Sequence, residues 1–356
     1  MEYIRSIEIA CLFFPFIAFL FTLPFVLYEY HKYGSINKFR TLIIYSFILY
    51  LMVIYFLVIL PLPKIDDVVK FNIKPQLRPF DFVISFIKDT PLVINDPSTY
   101  FKALCDSSFY TIIFNILMFI PFGIYLRYYF KCSLGKTIFL SFLLSLFFEL
   151  TQLTGLYFIY PKPYRLFDVD DLIINTFGGY LGYLMGGLFK FLPSRDEIDA
   201  KAIRDGKIVS GLRRIVLFFL DYILFLILGT ILSLFKINNF IFSFLILYIL
   251  VPLIFKGQTL GARYLKVKID CLYGLLGLLF RNILVFGFYF DALPLIMKLL
   301  EFVFKILKFD LFFSILIKFS FLILFFILYI ITVNSILHMK KNFYDKWLKI
   351  EYISLS

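Results

Sequence analysis

The stretch YRLFDVDDLIINTFGGYLGYLMG, residues 164–186, sets an arginine, three aspartates and an asparagine beside an apolar run that is rich in glycine. Glycines spaced four residues apart let a neighbouring helix approach closely, and carboxylates must face protein or water because lipid penalises them. The stretch therefore predicts a membrane helix with one packed face that is polar at its start. On a helix that turns about 100° per residue, that face collects six residues: Asp168, Asp171, Asn175, Gly178, Gly182 and Gly186.

The composition assigns the whole chain to the same class. Of its 356 residues, 62% are hydrophobic and only 17% are charged, far from the mixture of a soluble globular protein. The first apolar run, 6–28, is too long for a signal peptide, and no small-x-small cleavage site follows it, so we expect it to remain as an anchor. These features predict an all-α polytopic membrane protein.

Hydrophobic runs of about 20 residues, the length that a helix needs to cross a bilayer, occur nine times. The eighth run has two competing registers, 271–290 and 283–300, and 295–310 is alternatively an interfacial amphipathic helix. The predicted spans are 7–28, 41–62, 109–130, 136–157, 171–192, 212–234, 239–255, 278–300 and 311–336.

A charged segment divides the spans into two bundles of five and about four helices. Residues 193–210, PSRDEIDAKAIRDGKIVS, interrupt the hydrophobic pattern with charges, Pro193 and Gly206. We therefore predict a five-helix membrane domain over 1–192, a charged cytoplasmic linker over 193–210 and a second membrane domain over 211–356.

Positive charge is distributed unevenly between the connections. Alternate connections carry 21 Lys and Arg residues on one side and 13 on the other, and six of the 13 lie in one long loop that counts for less. The richer side is expected to be cytoplasmic, which places the N-terminus outside, the C-terminus inside and residues 164–171 at the outer leaflet. The net charge of +12 is thus explained by membrane lipids rather than nucleic acid, since no soluble stretch is long enough for a nucleic-acid-binding domain.

Cofactor and metal motifs are missing from the sequence. The four cysteines are scattered without a CxxC pair, the two histidines stand alone, and HExxH is absent. The sequence therefore predicts no metal site and no cofactor, and it leaves the oligomeric state open.

Two neighbouring spans carry polar side chains at the depth of the 164–175 segment. Glu149 and Gln152 are three residues apart late in the fourth span, and Asn115 lies about six residues into the third; Asn115 and Gln152 could equally be interhelical hydrogen-bonding groups. The next connection could fold back and bring Arg165 to the same level. Asp170 points away and is interpreted as a helix cap, with a functional role equally open. The predicted pocket comprises Asn115, Glu149, Gln152, Arg165, Asp168, Asp171 and Asn175.

Three ordered blocks give the first half a family resemblance. FNILMFIPFG at 114–123, FELTQ at 148–152 and RLFDVDDLIINTFGG at 165–179 resemble the VanZ-like family, and LRPF at 77–80 is similar to its weaker upstream block. The resemblance covers about 40–190. It implies an integral protein of the bacterial plasma membrane and cell envelope, from a family whose namesake is associated with low-level teicoplanin resistance.

The second half resembles the RDD family, named for one arginine and two aspartates. Arg214 and Asp221 stand seven residues apart on one helical face, GQTLG at 257–261 is the most specific block, and Tyr344 replaces the usual histidine of the terminal block. Asp221 could alternatively form a purely stabilising pair with Arg281. The resemblance covers about 207–352, implies transport-related or envelope roles, and assigns as signature residues Arg214, Asp221, Gln258, Arg263, Arg281 and Asp345.

Three functions fit these patterns. The first is envelope protection, in which the outer-leaflet pocket binds membrane lipids, a lipid-linked cell-wall precursor or a lipoglycopeptide and contributes to teicoplanin-type glycopeptide resistance. The second is a membrane enzyme that uses paired carboxylates for acid and base catalysis on a lipid-linked substrate, although the sequence has no established catalytic motif. The third is transport of an ion or small molecule through the RDD-like half.

Overall fold

The computed structural model describes residues 2–91, 93, 95–236 and 239–356. Ile237 and Asn238, in the connection predicted between the sixth and seventh spans, lie outside the described residues. The chain forms two compact units. Unit 1 comprises Met1–Phe21 and Lys38–Ile198, and unit 2 comprises Thr22–Asn37 and Asp199–Ser356.

Unit 1 is built from helices of very different lengths. Its long helices are apolar along most of their length, as the hydropathy of the sequence predicts. Short 3₁₀ helices at Pro97–Thr99 and Gly187–Phe191 accompany them. The α-helices, of which α1 continues into unit 2, are α1 (Glu2–Tyr33), α2 (Lys38–Ile59), α3 (Ile65–Lys70), α4 (Asp81–Asp89), α5 (Tyr100–Leu104), α6 (Ser107–Tyr128), α7 (Leu134–Leu153), α8 (Gly155–Phe158) and α9 (Val169–Gly186).

Glycines bring α6 and α9 into backbone contact. A β-carbon added at Gly178 would overlap the carbonyl oxygen of Ile116, and one added at Gly182 would overlap that of Ile120. The glycine-lined face predicted from the four-residue spacing therefore packs against α6. Helix α6 also packs against α7, where Phe119 meets Phe148 edge to face with ring centroids 6.2 Å apart.

Unit 2 combines long helices with short ones and a two-stranded ribbon. The segment predicted as a linker, 193–210, contains α10, which lies across the boundary between the units. Two π-helical segments, Leu245–Leu250 and Gly287–Asp291, continue α12 into α13 and α15 into α16. The elements are α10 (Arg195–Gly206), α11 (Gly211–Leu234), α12 (Asn239–Phe244), α13 (Val251–Ile254), α14 (Leu260–Tyr264), β1 (Val267–Cys271), α15 (Gly274–Phe286), α16 (Ala292–Ile306), α17 (Leu311–Leu337), α18 (Phe343–Trp347) and β2 (Ile350–Ser354).

The prediction of an all-α polytopic membrane protein is confirmed. The eighth predicted span is one continuous helical run, Gly274–Ile306, so neither competing register nor a separate interfacial helix describes it. In the described part of the chain, eight helices are long and apolar enough to cross a membrane: Ile4–Tyr33, Lys38–Ile59, Phe109–Tyr128, Leu134–Leu153, Val169–Phe191, Gly211–Leu234, Gly274–Ile306 and Leu311–Leu337.

The seventh predicted span, 239–255, corresponds to one apolar helical run, Phe240–Ile254, which is shorter than the other membrane helices. A non-helical break follows it and separates it from α14. After the break, the Gly261 N–H donates to Asp221 Oδ1 over 2.8 Å, ten residues into α11, and the Leu265 carbonyl accepts from Arg213 at the start of α11. Asp221 and Arg213 are about 12 Å apart along α11. The segment from Gly261 to Leu265 therefore runs back along the first part of α11, from Asp221 to Arg213.

The ribbon of β1 and β2 is not predicted by the sequence. The strands pair antiparallel, with Val267 opposite Ser354 and Cys271 opposite Ile350. Alternate side chains of β1 are buried in the core of unit 2, where they meet Leu217 of α11 and Leu348. The ribbon therefore holds the segment after α14 against the first turns of α11, at Arg213 and Leu217.

Candidate functional site

The start of α9 is held by two carboxylates. Asp168 is the N-cap, and its Oδ1 accepts the Asp170 N–H over 2.8 Å. The N–H of Asp168 itself donates to Glu149 Oε2 over 2.9 Å. Glu149, near the end of α7, is only 2% exposed, so its carboxylate is committed to joining α7 to α9.

Below this cap, side-chain amides link the three central helices. Asn115 of α6 donates through Nδ2 to Asp171 Oδ1 over 2.7 Å, and Asn175 donates through Nδ2 to the Ser145 hydroxyl of α7 over 2.9 Å. Ser145 in turn donates to the Asp171 carbonyl over 3.3 Å. The structure therefore brings together α6, α7 and the polar face predicted for α9.

Arg165 and Gln152 converge on the end of α2 rather than on the carboxylates. Arg165 donates to the carbonyls of Val58 and Leu60 over 2.6 and 3.3 Å, and Gln152 donates to Val58 over 3.1 Å. These carbonyls lie at the C-terminus of a helix, where a cation is electrostatically favoured. Arg165 was predicted to lie at the level of the polar cluster. Its guanidinium donates to backbone carbonyls at the end of α2.

Asp170 fastens the preceding connection to α9. Its Oδ1 accepts the Phe80 N–H over 2.6 Å, and its Oδ2 accepts the Phe82 N–H over 2.8 Å and the Gln76 amide over 3.2 Å. Backbone bonds between Gln76 and the residues flanking Asp168 complete this junction, which we call the loop tether. The cap of α9 is thus Asp168, and Asp170 instead caps α4. The LRPF block at 77–80 marked the loop, but nothing in the sequence marked its partner.

The cluster is strongly acidic. Burial raises the pKa of the Asp168 carboxyl, and the carboxylates of Asp170 and Asp81 raise it further against the lowering effect of the Asp170 N–H. Asp168 and Asp171 are partly exposed, whereas Glu149 and Asp170 are buried. Among the described residues, no group of three or more His, Cys, Asp or Glu side chains is placed to hold a metal ion. The arrangement is suited to accept hydrogen bonds from a ligand that carries donors.

Replacing Asp170 by Ala is expected to release the loop tether. Phe80 and Phe82 would lose their acceptor, and a hydrogen bond to a charged group contributes about 1.5–3 kcal/mol. We expect their amide hydrogens to exchange about ten to a hundred times faster, measured by hydrogen–deuterium exchange. The matched control is Asp67→Ala in the same connection, whose side chain is 54% exposed. Unchanged exchange at Phe80 and Phe82 would show that Asp170 does not hold the loop.

Replacing Asp168 by Asn is expected to remove one component of the pH dependence of stability. Because the pKa of Asp168 is raised on folding, the folded chain holds this proton more tightly than the unfolded chain. Its stabilising contribution is complete below the unfolded pKa of about 4 and is lost as the pH rises through the raised value. We expect the melting temperature of the wild type, relative to that of Asp168→Asn, to fall over this interval. A constant difference would contradict the assignment, and Asn retains the cap.

In unit 2, three of the predicted signature residues form one buried network. Arg214 donates to Asp345 Oδ2 over 2.6 Å, and Arg281 donates to the Tyr352 hydroxyl over 2.8 Å. That hydroxyl donates to Asp345 Oδ1 over 3.0 Å, and the Arg281 Nε lies 3.8 Å from the same oxygen. Both arginines therefore share the single carboxylate of Asp345.

The other signature residues take different positions. Asp221 accepts the Gly261 N–H, and Gln258 lies in the break before α14. Arg263 is exposed, and its guanidinium lies over the Phe255 ring, 4.2 Å from the centroid. Arg213, which no sequence pattern indicates as special, is fully buried and donates to the carbonyls of Gly206, Leu265 and Lys266.

The fold and the polar cluster define the class: an all-α, multi-pass membrane protein whose first unit gathers carboxylates where α7 ends and α9 begins. Residues 47–192 match the family model described as VanZ/LLP1, which confirms the VanZ-like prediction for this segment. The match ends before the segment that resembles the RDD family, and that second resemblance stays a prediction. No curated protein and no solved structure matches the chain.

Proposed function

We propose that the chain is a VanZ-type protein of the bacterial plasma membrane, with its N-terminus outside, its C-terminus in the cytoplasm and the polar cluster at the outer leaflet. The VanZ/LLP1 match over 47–192 supports the class, and the unequal distribution of Lys and Arg supports the orientation. A cluster at the outer leaflet is in reach of external glycopeptides and of lipid-linked cell-wall precursors.

The observation that carries the proposal is the pair of partly exposed carboxylates, Asp168 and Asp171, beside two buried ones. Ionised carboxylates only accept hydrogen bonds, so they select a headgroup rich in donors, such as sugar hydroxyls or amines. Two of the five N–H donors of Arg165 are used by carbonyls at the end of α2, so the acceptors of the cluster are the feature on which the choice of ligand rests. The ligand is therefore the sugar or amine part of a lipid-linked precursor or a lipoglycopeptide, and its retention contributes to teicoplanin-type resistance.

Binding fits this geometry better than acid and base catalysis. Glu149, a carboxylate inside the membrane helix α7, is 2% exposed and accepts the Asp168 N–H. A general acid or base must come within hydrogen-bond reach of the reacting group. Glu149 is instead a positioning residue for the cap of α9.

Teicoplanin susceptibility of a sensitive bacterial host tests the proposal. The host expressing the wild type is expected to be protected, and the Asp168→Asn/Asp171→Asn variant is expected to return to the susceptibility of the host alone, at equal membrane abundance. Asp67→Asn and Asp96→Asn, which change exposed carboxylates in the same connection, are matched controls that keep protection. Full protection by the double variant would overturn the proposed site.

We also propose that residues 211–356 form the RDD-like module. Support comes from the buried network in which Arg214 and Arg281 share Asp345, since these three positions are distant in sequence and belong to the predicted signature.

A further inference from the structure

Unit 2 encloses a cavity of about 290 Å³ that is separate from the polar cluster. Its wall is mainly apolar, with side chains from α11, α15 and α17 that include Phe218, Val285 and Val333. Ligand pockets in proteins typically begin at about this size, combining an apolar wall with a few converging polar groups. The cavity is therefore large enough for a small amphiphile.

Four polar atoms in the residues that line this cavity are buried without a hydrogen-bond partner in the protein. They are the hydroxyls of Tyr248 and Tyr289 and the Nε atoms of Arg214 and Arg281. Tyr248, Arg214 and Arg281 are each less than 10% exposed. Buried polar groups normally find partners, so four in the lining of one cavity require an explanation.

All four groups can donate hydrogen bonds, and the two Nε atoms can only donate. What they need in common is an acceptor. The two guanidiniums carry two positive charges and the carboxylates of Asp345 and Asp221 two negative ones, so the formal charges around the cavity balance. Two of the unmet donors nevertheless belong to guanidiniums, whose hydrogen bonds to ionised acceptors such as carboxylate and phosphate are about twice as strong as neutral ones. The unmet guanidinium donors therefore favour an anionic acceptor.

We propose that this cavity binds an amphiphilic anion, a carboxylate or phosphate attached to a short apolar chain, with the acidic group at Arg214 and Arg281 and the chain against the apolar wall. A free fatty acid and an anionic membrane lipid share this chemistry. The volume is at the lower end of the range for small-molecule pockets and suits one short apolar chain with its acidic group, either a free fatty acid or one chain and the phosphate of a lipid whose remainder lies outside the cavity. The site does not depend on the function proposed for unit 1.

Binding is tested on the purified full chain in nanodiscs of zwitterionic lipid. The probes are octanoate, octyl phosphate and dioctanoyl phosphatidylglycerol, with octanol and octyltrimethylammonium as neutral and cationic counterparts. We expect at least one anionic probe to bind and to raise the melting temperature, while the counterparts bind at least tenfold more weakly. Octanoate alone would identify a fatty acid as the source, and phosphatidylglycerol a membrane lipid. Equal binding of the cationic probe, or no binding by any anion, would overturn the proposal.

Hydroxyl deletions separate binding from folding. Tyr248→Phe and Tyr289→Phe remove hydroxyls that have no protein partner, so the unliganded protein should melt at the same or a higher temperature. The anionic probe should nevertheless bind roughly tenfold more weakly to each, because a hydrogen bond to a charged group is lost. Tyr273→Phe, at a 56% exposed tyrosine of the same unit, is the matched control. Unchanged affinity in both cavity variants would refute the assignment of these hydroxyls and, with it, the site.

The charge of Asp221 gives a test with the opposite sign. Replacing it by Asn removes a negative charge from the cavity lining and keeps an oxygen that can accept the Gly261 N–H. An anionic probe is expected to bind more tightly to Asp221→Asn than to the wild type, by several-fold. Weaker anion binding, accompanied by loss of binding of a cationic probe, would show that the cavity instead selects cations.

Discussion

Gly182→Ala is expected to disrupt unit 1 strongly. A β-carbon at this position of α9 would overlap the carbonyl oxygen of Ile120 in α6, and backbone atoms cannot move aside as a flexible side chain can. Overpacking of a filled interior costs about 1–3 kcal/mol and sometimes more. We expect a large fall in membrane abundance and in the melting temperature, measured by fluorescence-detected size-exclusion chromatography of heated samples.

Gly135→Ala is the matched control for this substitution. Gly135 lies in the first turn of α7, and a β-carbon there would have no neighbour within 4 Å. Alanine is favoured over glycine in a helix by up to about 1 kcal/mol, so this variant should be as stable as the wild type or slightly more stable. If Gly182→Ala behaved like Gly135→Ala, the close contact of α6 and α9 would be wrong.

Asp345→Asn is expected to be the most damaging isosteric change in unit 2. The carboxylate is fully buried and lies 2.6 Å from Arg214 and 3.8 Å from Arg281. Breaking a buried ion pair by removing one partner costs about 3–5 kcal/mol, because the remaining charge stays buried without compensation. Here two guanidiniums would lose the same counter-charge. Thermal unfolding of the purified protein should show the loss directly.

The control and a second-site change make this prediction specific. Asp270→Asn removes an exposed carboxylate that pairs with Lys268 over 3.5 Å, and exposed pairs contribute little. Combining Asp345→Asn with Arg214→Met removes one of the two buried guanidiniums that would be left without a counter-charge. This double variant should recover part of the lost stability. Absence of any recovery would mean that the damage arises from packing rather than from uncompensated charge.

Helical periodicity predicted the architecture of α9 well because its information is local. The four-residue spacing of Gly178 and Gly182 placed both on one face, and that face meets α6. The same spacing set Asp171 and Asn175 beside one another, and the structure places them against Asn115 and Ser145. Whether these residues bind a ligand stays a prediction.

Helical periodicity does not predict hydrogen-bond partners that are distant in sequence. Asp170 accepts hydrogen bonds from Phe80 and Phe82, about 90 residues earlier, and no pattern within a helix encodes that pairing. For Arg165, the depth in the membrane was predicted but the hydrogen-bond partners were not. Its acceptors are backbone carbonyls, which every residue has, so no residue type marks them in the sequence. Side-chain chemistry therefore indicated where polar groups gather but not which groups they satisfy.

The break before α14 and the ribbon were not predicted for a different reason. Hydropathy detects apolar runs such as 239–255, which is the helical run Phe240–Ile254 in the structure, but it does not detect the break and the short helix that follow. Asp221 stabilises that segment from another helix by accepting the Gly261 N–H. The alternation of apolar and polar residues in β1, VKIDC, is typical of a strand, but five residues give too weak a signal to predict one.

The loop tether has a consequence for chain entropy. The connection from Leu60 to Asp106 is also attached to the segment before α9 through Pro63 and Val69, and the bonds at Gln76 and Phe80 divide the remaining stretch, 69–106, into two shorter loops. The entropic cost of closing a loop grows only with the logarithm of its length, by about 0.6 kcal/mol for each doubling. An insertion on either side of the tether therefore lengthens one short loop at little cost and leaves the other unchanged. An insertion between Gln76 and Phe80 would instead separate the two groups that Asp170 holds together and would weaken the tether itself.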